Sequence, residues 1–199
     1  GNSATCTQII TVNDQTPPSI TCPAAVTVSC ANQIPASDIT GVTSSDNCGG
    51  TPVNTFVGDQ ISNQTCANSY TLTRSYRATD FCGNSATCSQ IITVIDTVKP
   101  VLECPVDTMV FIGVGNCEFD VMDDIFDVIQ IIENCDGMFS VVNNINGGST
   151  LNGYQFEDGV HYIEWTVTDI CNNFSTCSFE VTIPRAQNFL ACKNLNISL

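Results

Sequence analysis

The sequence predicts an all-β chain of tandem β-sandwiches that are stapled by disulfide bonds. Two observations carry this prediction: the chain repeats itself, and it is rich in cysteine. Residues 1–16 read GNSATCTQIITVNDQT and residues 83–98 read GNSATCSQIITVIDTV, so twelve of the sixteen positions match at an offset of 82. A looser third copy begins at Cys171. A fixed period of this size is typical of similar units arranged in a row.

The period also predicts where the chain divides. An apolar strand followed by a short hinge closed by proline occurs at Ile9–Pro18 and again at Ile91–Pro100. Units of this size bury only about 60% of their unfolded surface, so they often need covalent support. The division is residues 1–16 as the last strand of a preceding repeat, 17–98 as repeat A, 99–185 as repeat B and 186–199 as the first strand of a following repeat.

The local pattern inside the repeats is β. Clusters of Gly, Asn, Asp and Pro separate short segments at the spacing of a sandwich, which predicts two antiparallel sheets in an immunoglobulin-like arrangement. The segments are rich in β-branched and aromatic residues. They are 26–28, 70–78, 161–167 and 179–182.

One segment of repeat B has a different period. Its apolar residues follow the spacing of a helix face, which favours a short helix over 121–132. They are Val121, Ile125, Val128, Ile129 and Ile132.

The thirteen cysteines indicate disulfide bonds and an oxidising compartment outside the cytosol. Several of them are flanked by Gly, Asn, Asp or Thr, as in turns and at strand ends. A zinc site is disfavoured, because no two cysteines have the two-residue spacing of a metal knuckle and the chain has one histidine.

The six cysteines of repeat A can pair in several ways, and the sequence leaves these pairings open. The expected order of the strands favours three of the possible disulfide bonds. Cys22 opens the first strand and Cys88 lies in the last, and these strands run side by side in such sandwiches. Two further cysteines each follow a strand, at the same end of the sandwich. The predicted pairs are Cys22–Cys88, Cys48–Cys82 and, by elimination, Cys30–Cys66.

In repeat B the same positions predict two pairs, Cys104–Cys177 and Cys135–Cys171. Cys117 competes for Cys135, because their spacing of 18 equals that of residues 30 and 48. The remaining two cysteines, Cys6 and Cys192, are assigned to neighbouring repeats.

Three stretches carry a family resemblance: Asp46–Gly49 (DNCG), Ala78–Cys88 (ATDFCGNSATC) and Ile92–Asp96 (ITVID). They resemble the hyalin-repeat (HYR) and HYR-like modules that occur in tandem in giant secreted proteins of Bacteroidota, such as adhesins of gliding motility. The resemblance covers essentially the whole chain. It implies an immunoglobulin-like sandwich, cell-surface display, type IX secretion and an adhesive or filament-forming role without catalysis.

Repeat B departs from this pattern at two places. Asn172-Asn173 stands where repeat A has Gly83-Asn84, and Cys66 has no counterpart. The third bridge of repeat B is therefore left open.

The chain is strongly acidic, with a net charge of −15 and five basic residues. So few cations cannot neutralise a phosphate backbone or an anionic membrane surface, which argues against both partners. The charge is uneven: repeat A carries −3 and repeat B carries −12. No apolar run of 18 residues is present, so membrane insertion is not expected.

Half of the acids of repeat B lie within residues 118–136, and clustered carboxylates suit calcium. We predict Asp123, Asp124 and Asp127 as the ligands. No Asp-x-Asp-x-Asp-Gly loop is present, so a solvated acidic face that keeps the protein soluble is the alternative. The hinge acids Asp14 and Asp96 are a second place for an ion, or else cap their turns locally.

Other polar residues indicate no catalytic site. His161, the single histidine, lies in a predicted strand without a nucleophile near it in sequence. If the bacterial resemblance holds, Thr97 and Thr108 fit the short Asp-Thr-apolar pattern of O-glycosylation in those organisms.

These observations predict a non-enzymatic, extracellular structural and adhesive array on the cell surface, without a cofactor other than a structural calcium ion. Its expected partners are neighbouring repeats, copies of itself in a filament, and surface polysaccharide or other cells. The alternative is a glycan-binding or accessory module of a secreted enzyme. Exposed aromatic side chains clustered on one sheet would favour that alternative.

Overall fold

A computed structural model describes residues 1–113, 116–135 and 137–185. The all-β prediction is confirmed: the described residues form fourteen strands, and their one helical element is a 3-10 turn at Ala31–Gln33. The chain divides into two compact units. The first contains residues 1–28, 33–65 and 69–95, and the second contains 29–32, 66–68 and the chain from Asp96 onward.

The second unit resumes at Asp96, three residues before the predicted start of repeat B at residue 99. Residues 29–32 and 66–68 belong to repeat A in sequence but to the second unit in the structure. The predicted terminal strand at 186–199 lies outside the described residues.

The first unit has a four-stranded sheet in the order β2-β6-β5-β4 and a two-stranded sheet of β1 and β3. Strands β5 and β6 are antiparallel, whereas β2 runs parallel to β6. The strands are β1 (Ser19–Thr21), β2 (Val26–Val28), β3 (Thr43–Ser45), β4 (Val53–Cys66), β5 (Ser69–Thr79) and β6 (Ser85–Ile95).

Alternation of side chains explains why β5 and β6 form the core of this unit. Successive side chains of a strand point to opposite faces. Every second residue of β5 and of the second half of β6 is buried, and most of these residues are apolar. The apolar ones are Tyr70, Leu72, Tyr76 and Ala78 of β5 with Ile92 and Val94 of β6.

Arg74 lies on the same inward face of β5 and is only 4% exposed. Its guanidinium donates two hydrogen bonds of 2.9 Å to the carboxylate of Asp59 and one of 2.7 Å to the Pro35 carbonyl. The hydrogen bond to Asp59 raises the pKa of Arg74 above its already high ordinary value. A buried cation is therefore paired by a bidentate carboxylate.

Loss of this pairing should be costly, because it would leave a buried charge without compensation. We expect Asp59→Asn to lower the free energy of unfolding of the first unit by about 3 kcal/mol. The control is Asp158→Asn, since Asp158 meets Arg185 at 3.9 Å with both side chains largely exposed. Chemical denaturation should show a much smaller change for this control, and equal effects would contradict the buried-pair interpretation.

The second unit repeats the arrangement with a four-stranded sheet in the order β11-β13-β14-β8 and two two-stranded sheets, β7 with β10 and β9 with β12. Strand β8 is parallel to β14, as β2 is to β6. The strands are β7 (Val101–Glu103), β8 (Thr108–Met109), β9 (Phe119–Asp120), β10 (Gln130–Ile132), β11 (Ser140–Asn143), β12 (Gln155–Phe156), β13 (Gly159–Thr168) and β14 (Phe174–Ile183).

The core of this unit centres on Trp165, which is fully buried. Its indole nitrogen donates a hydrogen bond of 2.9 Å to the carbonyl of Phe126. The aromatic ring of Phe126 in turn lies 6.1 Å from Phe156 and 6.2 Å from Phe179, measured between ring centroids. Tryptophan thus supplies a large apolar surface while its polar atom is satisfied.

The predicted helix over 121–132 is wrong. Asp123 has a φ of +59°, the Asp127 amide bonds to the Asp124 carbonyl in a single turn, and β10 begins at Gln130. Val, Ile and Asp are poor helix formers, and a left-handed residue ends any regular helix. The buried members of the apolar pattern instead join the sandwich core, as Val121 does.

Residues 1–16, predicted to be the last strand of a preceding repeat, have no assigned strand. Ile10 and Val12 are 75% and 89% exposed. Their counterparts one period later, Ile92 and Val94, are 0% and 1% exposed in β6. Nearly the same sequence is therefore an interior strand in one place and a solvent-exposed segment in the other.

Candidate functional site: the cysteine and acidic loops

Each unit carries a loop of the same design between two adjacent antiparallel strands: Asp80–Asn84 connects β5 with β6, and Asp169–Asn173 connects β13 with β14. The asparagine amide nitrogen at the loop end donates to the aspartate Oδ1 at 2.8 Å in both. The asparagine side-chain nitrogen donates to the aspartate Oδ2 at 2.9 and 2.8 Å. The left-handed residue is Gly83 in one loop and Asn172 in the other, and asparagine tolerates that conformation well.

The hinge acids Asp14 and Asp96 occupy equivalent places beside these loops. The side chains of Asn84 and Asn173 donate to the carbonyl oxygens of Asp14 and Asp96 at 3.1 and 3.2 Å. Each hinge carboxylate also accepts a hydrogen bond at Oδ1 from the backbone amide two residues further along the chain. The N–O distance is 3.0 Å for Asp14 and 3.1 Å for Asp96. Both carboxylates therefore accept hydrogen bonds within local turns.

Four disulfide bonds join described cysteines. Two of them, Cys22–Cys88 and Cys104–Cys177, are the pairs that the strand order predicted, with sequence separations of 66 and 73. The other two connect loop cysteines of repeat B with cysteines of repeat A. They are Cys30–Cys135 and Cys66–Cys171, each with a sequence separation of 105.

Three predicted pairs are therefore wrong: Cys48–Cys82, Cys30–Cys66 and Cys135–Cys171. The prediction placed loop cysteines at the same end of one sandwich and closed the bonds within each repeat. In the structure, segments 29–32 and 66–68 lie within the second unit and carry the partners of its loop cysteines. The sequence did contain a signal: Cys66 has no counterpart in repeat B, so the cysteines of the two repeats cannot all be paired in the same way within each repeat.

The remaining cysteines differ in state. Cys117 is disulfide-bonded, but the competing pair with Cys135 is not formed, since Cys135 bonds to Cys30. Cys192 lies outside the described residues. Among the described cysteines, Cys6, Cys48 and Cys82 carry free, exposed thiols.

The free thiol of Cys48 lies in an acidic setting. Partial desolvation, followed by a hydrogen bond to Asp14 and the charges of Asp14 and Asp46, raises the pKa of Cys48 above its ordinary value. Because the thiolate is the nucleophile, this setting keeps Cys48 protonated and slow to react at neutral pH.

We expect Cys48 to be alkylated more slowly at pH 7.5 than Cys6, which also carries a free, exposed thiol. Replacing Asp14 with Asn should lower the pKa of the Cys48 thiol and speed its alkylation several-fold while leaving Cys6 unchanged. Mass spectrometry of peptides after timed iodoacetamide treatment measures both rates. Equal acceleration at both thiols would contradict the electrostatic explanation.

Three carboxylates of the second unit converge: Asp96, Glu133 and Asp169 each place one oxygen within 4.8 Å of the others. Asp96 and Asp169 are buried. Glu133 Oε1 accepts amide hydrogen bonds, whereas Glu133 Oε2 is buried without a partner. Leaving the Glu133 oxygen buried without a partner is costly. Carboxylate oxygens, which all three residues offer, are the ligands that a hard divalent cation takes.

The acids that we predicted as calcium ligands are arranged differently. Asp123, Asp124 and Asp127 belong to neither of the two groups of converging metal-ligand side chains found within the described residues. The carboxylate of Asp127 instead accepts a hydrogen bond of 2.8 Å from the backbone amide of Leu151. Asp136, in the same acidic segment, lies outside the described residues.

The other predicted residues occupy simple positions. Thr97 is exposed in the hinge, and Thr108 is half-buried in β8. His161 Nε2 lies 2.9 Å from the Glu157 carbonyl oxygen, and its ring contacts Phe156. None of the aromatic ring pairs among the described residues joins two exposed side chains.

No family model and no curated protein matches the chain. Among solved structures, it is similar to human mucin-like protocadherin EC1-2, with 11% identity, a TM-score of 0.30 and coverage of 85% of this chain and 98% of that one. It is also similar to mouse cadherin-23 EC22-24, with 12% identity, a TM-score of 0.33 and coverage of 84% and 66%. At these scores we base no functional argument on them.

One further observation concerns membranes. Within the described part of the chain, no helix has both the length and the apolar character needed to cross a bilayer.

Proposed function

We propose that this chain is part of an extracellular structural and adhesive repeat array in which each sandwich acts as a covalently connected spacer. The observation that carries the proposal is the pair of disulfide bonds that join repeat A to repeat B. Because Cys30 and Cys66 bond to Cys135 and Cys171, part of one repeat is built into the unit formed by the next. Disulfide bonds persist in oxidising, extracellular settings, which supports this location.

The finer features of the proposal come from the resemblance of the Asp46–Gly49 and Ala78–Cys88 stretches to HYR-like modules. We propose display on a bacterial surface after type IX secretion, in a large gliding-motility adhesin or a similar filament-forming protein. Surface polysaccharide or other cells are the proposed adhesion partners. The acidic surface suits a long exported array, because like charges keep neighbouring molecules apart.

Force spectroscopy tests the spacer role. The bonds Cys22–Cys88 and Cys104–Cys177 hide 66 and 73 residues from tension, which at about 3.5 Å per extended residue is roughly 480 Å in total. We expect the fully extended molecule to be shorter by that length in oxidising buffer than in reductant. Equal final lengths in the two buffers would contradict a disulfide-limited spacer.

A glycan-binding or accessory module of a secreted enzyme remains the second candidate. The exposed Tyr162 of β13 is the side chain on which a sugar would stack. Phe174 is also exposed on this sheet, but it lies opposite Thr168, six residues along β13 from Tyr162. A glycan array probed with the wild-type chain and with the Tyr162→Ala variant separates the two functions. If the wild-type chain binds a glycan and the variant does not, the glycan-binding module is favoured. An adhesive array without such a site would show either no binding or binding that the substitution leaves unchanged.

We also propose that the Asp96–Glu133–Asp169 group, rather than the acids at 123–127, holds a structural calcium ion. The proposal is supported by the convergence of the three carboxylates and by the unpartnered Glu133 Oε2. Calcium would neutralise their mutual repulsion and give the buried oxygen a ligand.

Chelation tests this site. An ion that binds only the folded state at 100 times its dissociation constant stabilises by about 2.7 kcal/mol, so chelator should lower the melting temperature of the second unit by several degrees. Glu133→Gln should abolish the calcium response, whereas the triple variant D123N/D124N/D127N should keep it. Melting that is unchanged by chelator would contradict calcium binding, and Glu133→Gln would then stabilise slightly by relieving repulsion.

A further inference from the structure

We propose that Cys48 and Cys82 of the first unit each form a disulfide bond with a second repeat of the same kind, through cysteines that correspond to Cys30 and Cys66. The proposal rests on the array function above and deepens it, because it names the partner of one surface. The partner that covers this surface is a single repeat whose own sequence supplies both cysteines.

The first argument is the equivalence of the loops that carry the cysteines. In the first unit Asn47 Nδ2 lies 3.2 Å from Cys48 Sγ, and in the second Asn134 Nδ2 lies 3.0 Å from Cys135 Sγ. The loops around Cys82 and Cys171 also share their aspartate–asparagine hydrogen bonds, as described above. Both units therefore hold their two loop cysteines in the same local frame.

In the second unit, both loop cysteines are bonded to cysteines of repeat A. In the second unit, residues 29–32 and 66–68 lie on these loops. Ala31 N donates to Asn68 Oδ1 at 2.8 Å, and the Asp96 amide donates to the Asn68 carbonyl at 2.9 Å. The two segments are thus hydrogen-bonded to each other and to the hinge, and both are then fastened by disulfides.

The third argument is the exposed surface at the equivalent place in the first unit. Residues 49–53 and 79–81, which adjoin Cys48 and Cys82, line a depression of about 260 Å³. Phe81 is 99% exposed there, and both thiols are exposed. Ile170, which holds the equivalent place before Cys171 in the second unit, is only 38% exposed.

The segment 1–16 identifies the partner. It nearly repeats the sequence of β6, which β2 and β5 flank in the first unit. Its apolar residues Ile10 and Val12 are exposed, although their counterparts are buried. Strands equivalent to β2 and β5 from a repeat of the same kind would bury them and would bring a Cys22-type cysteine to Cys6.

The chemistry of the bonds is ordinary thiol oxidation. For each bond, two thiols lose two protons and two electrons, and one S–S bond forms. The oxidant is a small-molecule disulfide such as oxidised glutathione, whose S–S bond breaks to give two thiols. One cysteine thiolate attacks the glutathione disulfide and releases one glutathione thiol, and the second cysteine thiolate then attacks the resulting mixed disulfide and releases the other. Because the raised pKa of Cys48 makes it a slow attacking group, the step in which Cys48 attacks limits the rate of its bond.

The test adds one repeat to the whole chain. Since residues 83–98 and 1–16 match, residues 17–82 can be fused directly before Gly1, which supplies a complete preceding repeat. After oxidation with glutathione, we expect non-reducing peptide mapping to place the added Cys30 with Cys48 and the added Cys66 with Cys82. The added copies of Cys48 and Cys82 are replaced by serine, so that alkylation at these positions reports the original copy alone. That alkylation, present in the original chain, should be lost in the fusion.

The outcomes separate this proposal from the array function. A bond between the added Cys22 and Cys6, with Cys48 and Cys82 still alkylated or joined to each other, would overturn the proposal and leave the array function standing. Absence of the Cys22–Cys6 bond as well would count against both.

A second variant works on the original chain, so the test does not depend on folding of the fusion. In C30S/C66S, Cys135 and Cys171 should become alkylatable thiols, which is the state of Cys48 and Cys82. A Cys135–Cys171 bond in this variant would show that loop cysteines can pair within a repeat, and it would overturn the proposal.

Discussion

Replacing Trp165 with alanine should lower the free energy of unfolding of the second unit by about 4 kcal/mol, which corresponds to a melting temperature roughly 20 °C lower. The side chain is fully buried in the cluster formed with Phe126, Phe156 and Phe179. Alanine would leave a large cavity and would also deprive the Phe126 carbonyl of its hydrogen-bond donor. Calorimetry measures the loss, and hydrogen exchange of β13 and β14 locates it.

Trp165→Phe is the matched control, because it keeps most of the ring but removes the N–H group. It should cost about 1–3 kcal/mol, close to the cost of one buried acceptor without a partner plus a small cavity. Equal losses for the two variants would mean that the hydrogen bond to Phe126, rather than packing, dominates the role of Trp165.

Removal of the Cys22–Cys88 bond should destabilise the first unit by a similar amount. The bond closes a loop of 66 residues, for which chain entropy predicts about 4 kcal/mol. We expect C22A/C88A to lower the midpoint of urea unfolding and to increase hydrogen exchange in β2 and β6.

The matched control is C48A/C82A, which also removes two cysteines from the first unit but breaks no bond. Its urea midpoint should stay within error of the wild type. A large loss in C48A/C82A would indicate that these cysteines are bonded in the folded chain, contrary to the structure.

Sequence reasoning located the strands well where alternation was regular. The buried residues of β5 and β6 follow a period of two. The predicted bonds Cys22–Cys88 and Cys104–Cys177 accompany the parallel pairing of β2 with β6 and of β8 with β14. Period and pairing are local properties, so one repeat contains enough information to predict them.

The pairing of the loop cysteines could not be predicted in this way. Internal repetition shows that Cys48 and Cys135 are equivalent positions, but it cannot say which copy supplies their partners. That choice depends on residues 29–32 and 66–68 joining the second unit, which is a tertiary property. The helix prediction failed for a related reason: spacing at 121–132 fitted a helix, but the left-handed Asp123 and the burial of Val121 and Phe126 in the sandwich decided otherwise.

The acidic residues show the same limit. Charge density pointed to 118–136, whereas the converging group takes one residue from the hinge, one from the β10–β11 connection and one from the loop after β13. Asp96 was singled out by its place in the hinge, but nothing in the local sequence connects it with Asp169.

The separation of 105 residues in Cys30–Cys135 and Cys66–Cys171 also sets an order of events during biosynthesis. A chain made from its N-terminus exposes Cys30, Cys48 and Cys66 long before Cys135 and Cys171 exist. Nearby thiols close loops faster than distant ones, so early oxidation would trap a Cys30–Cys48 pairing only 18 residues apart. Correct maturation therefore calls for a disulfide isomerase, or for an oxidant that arrives only after the following repeat has been made.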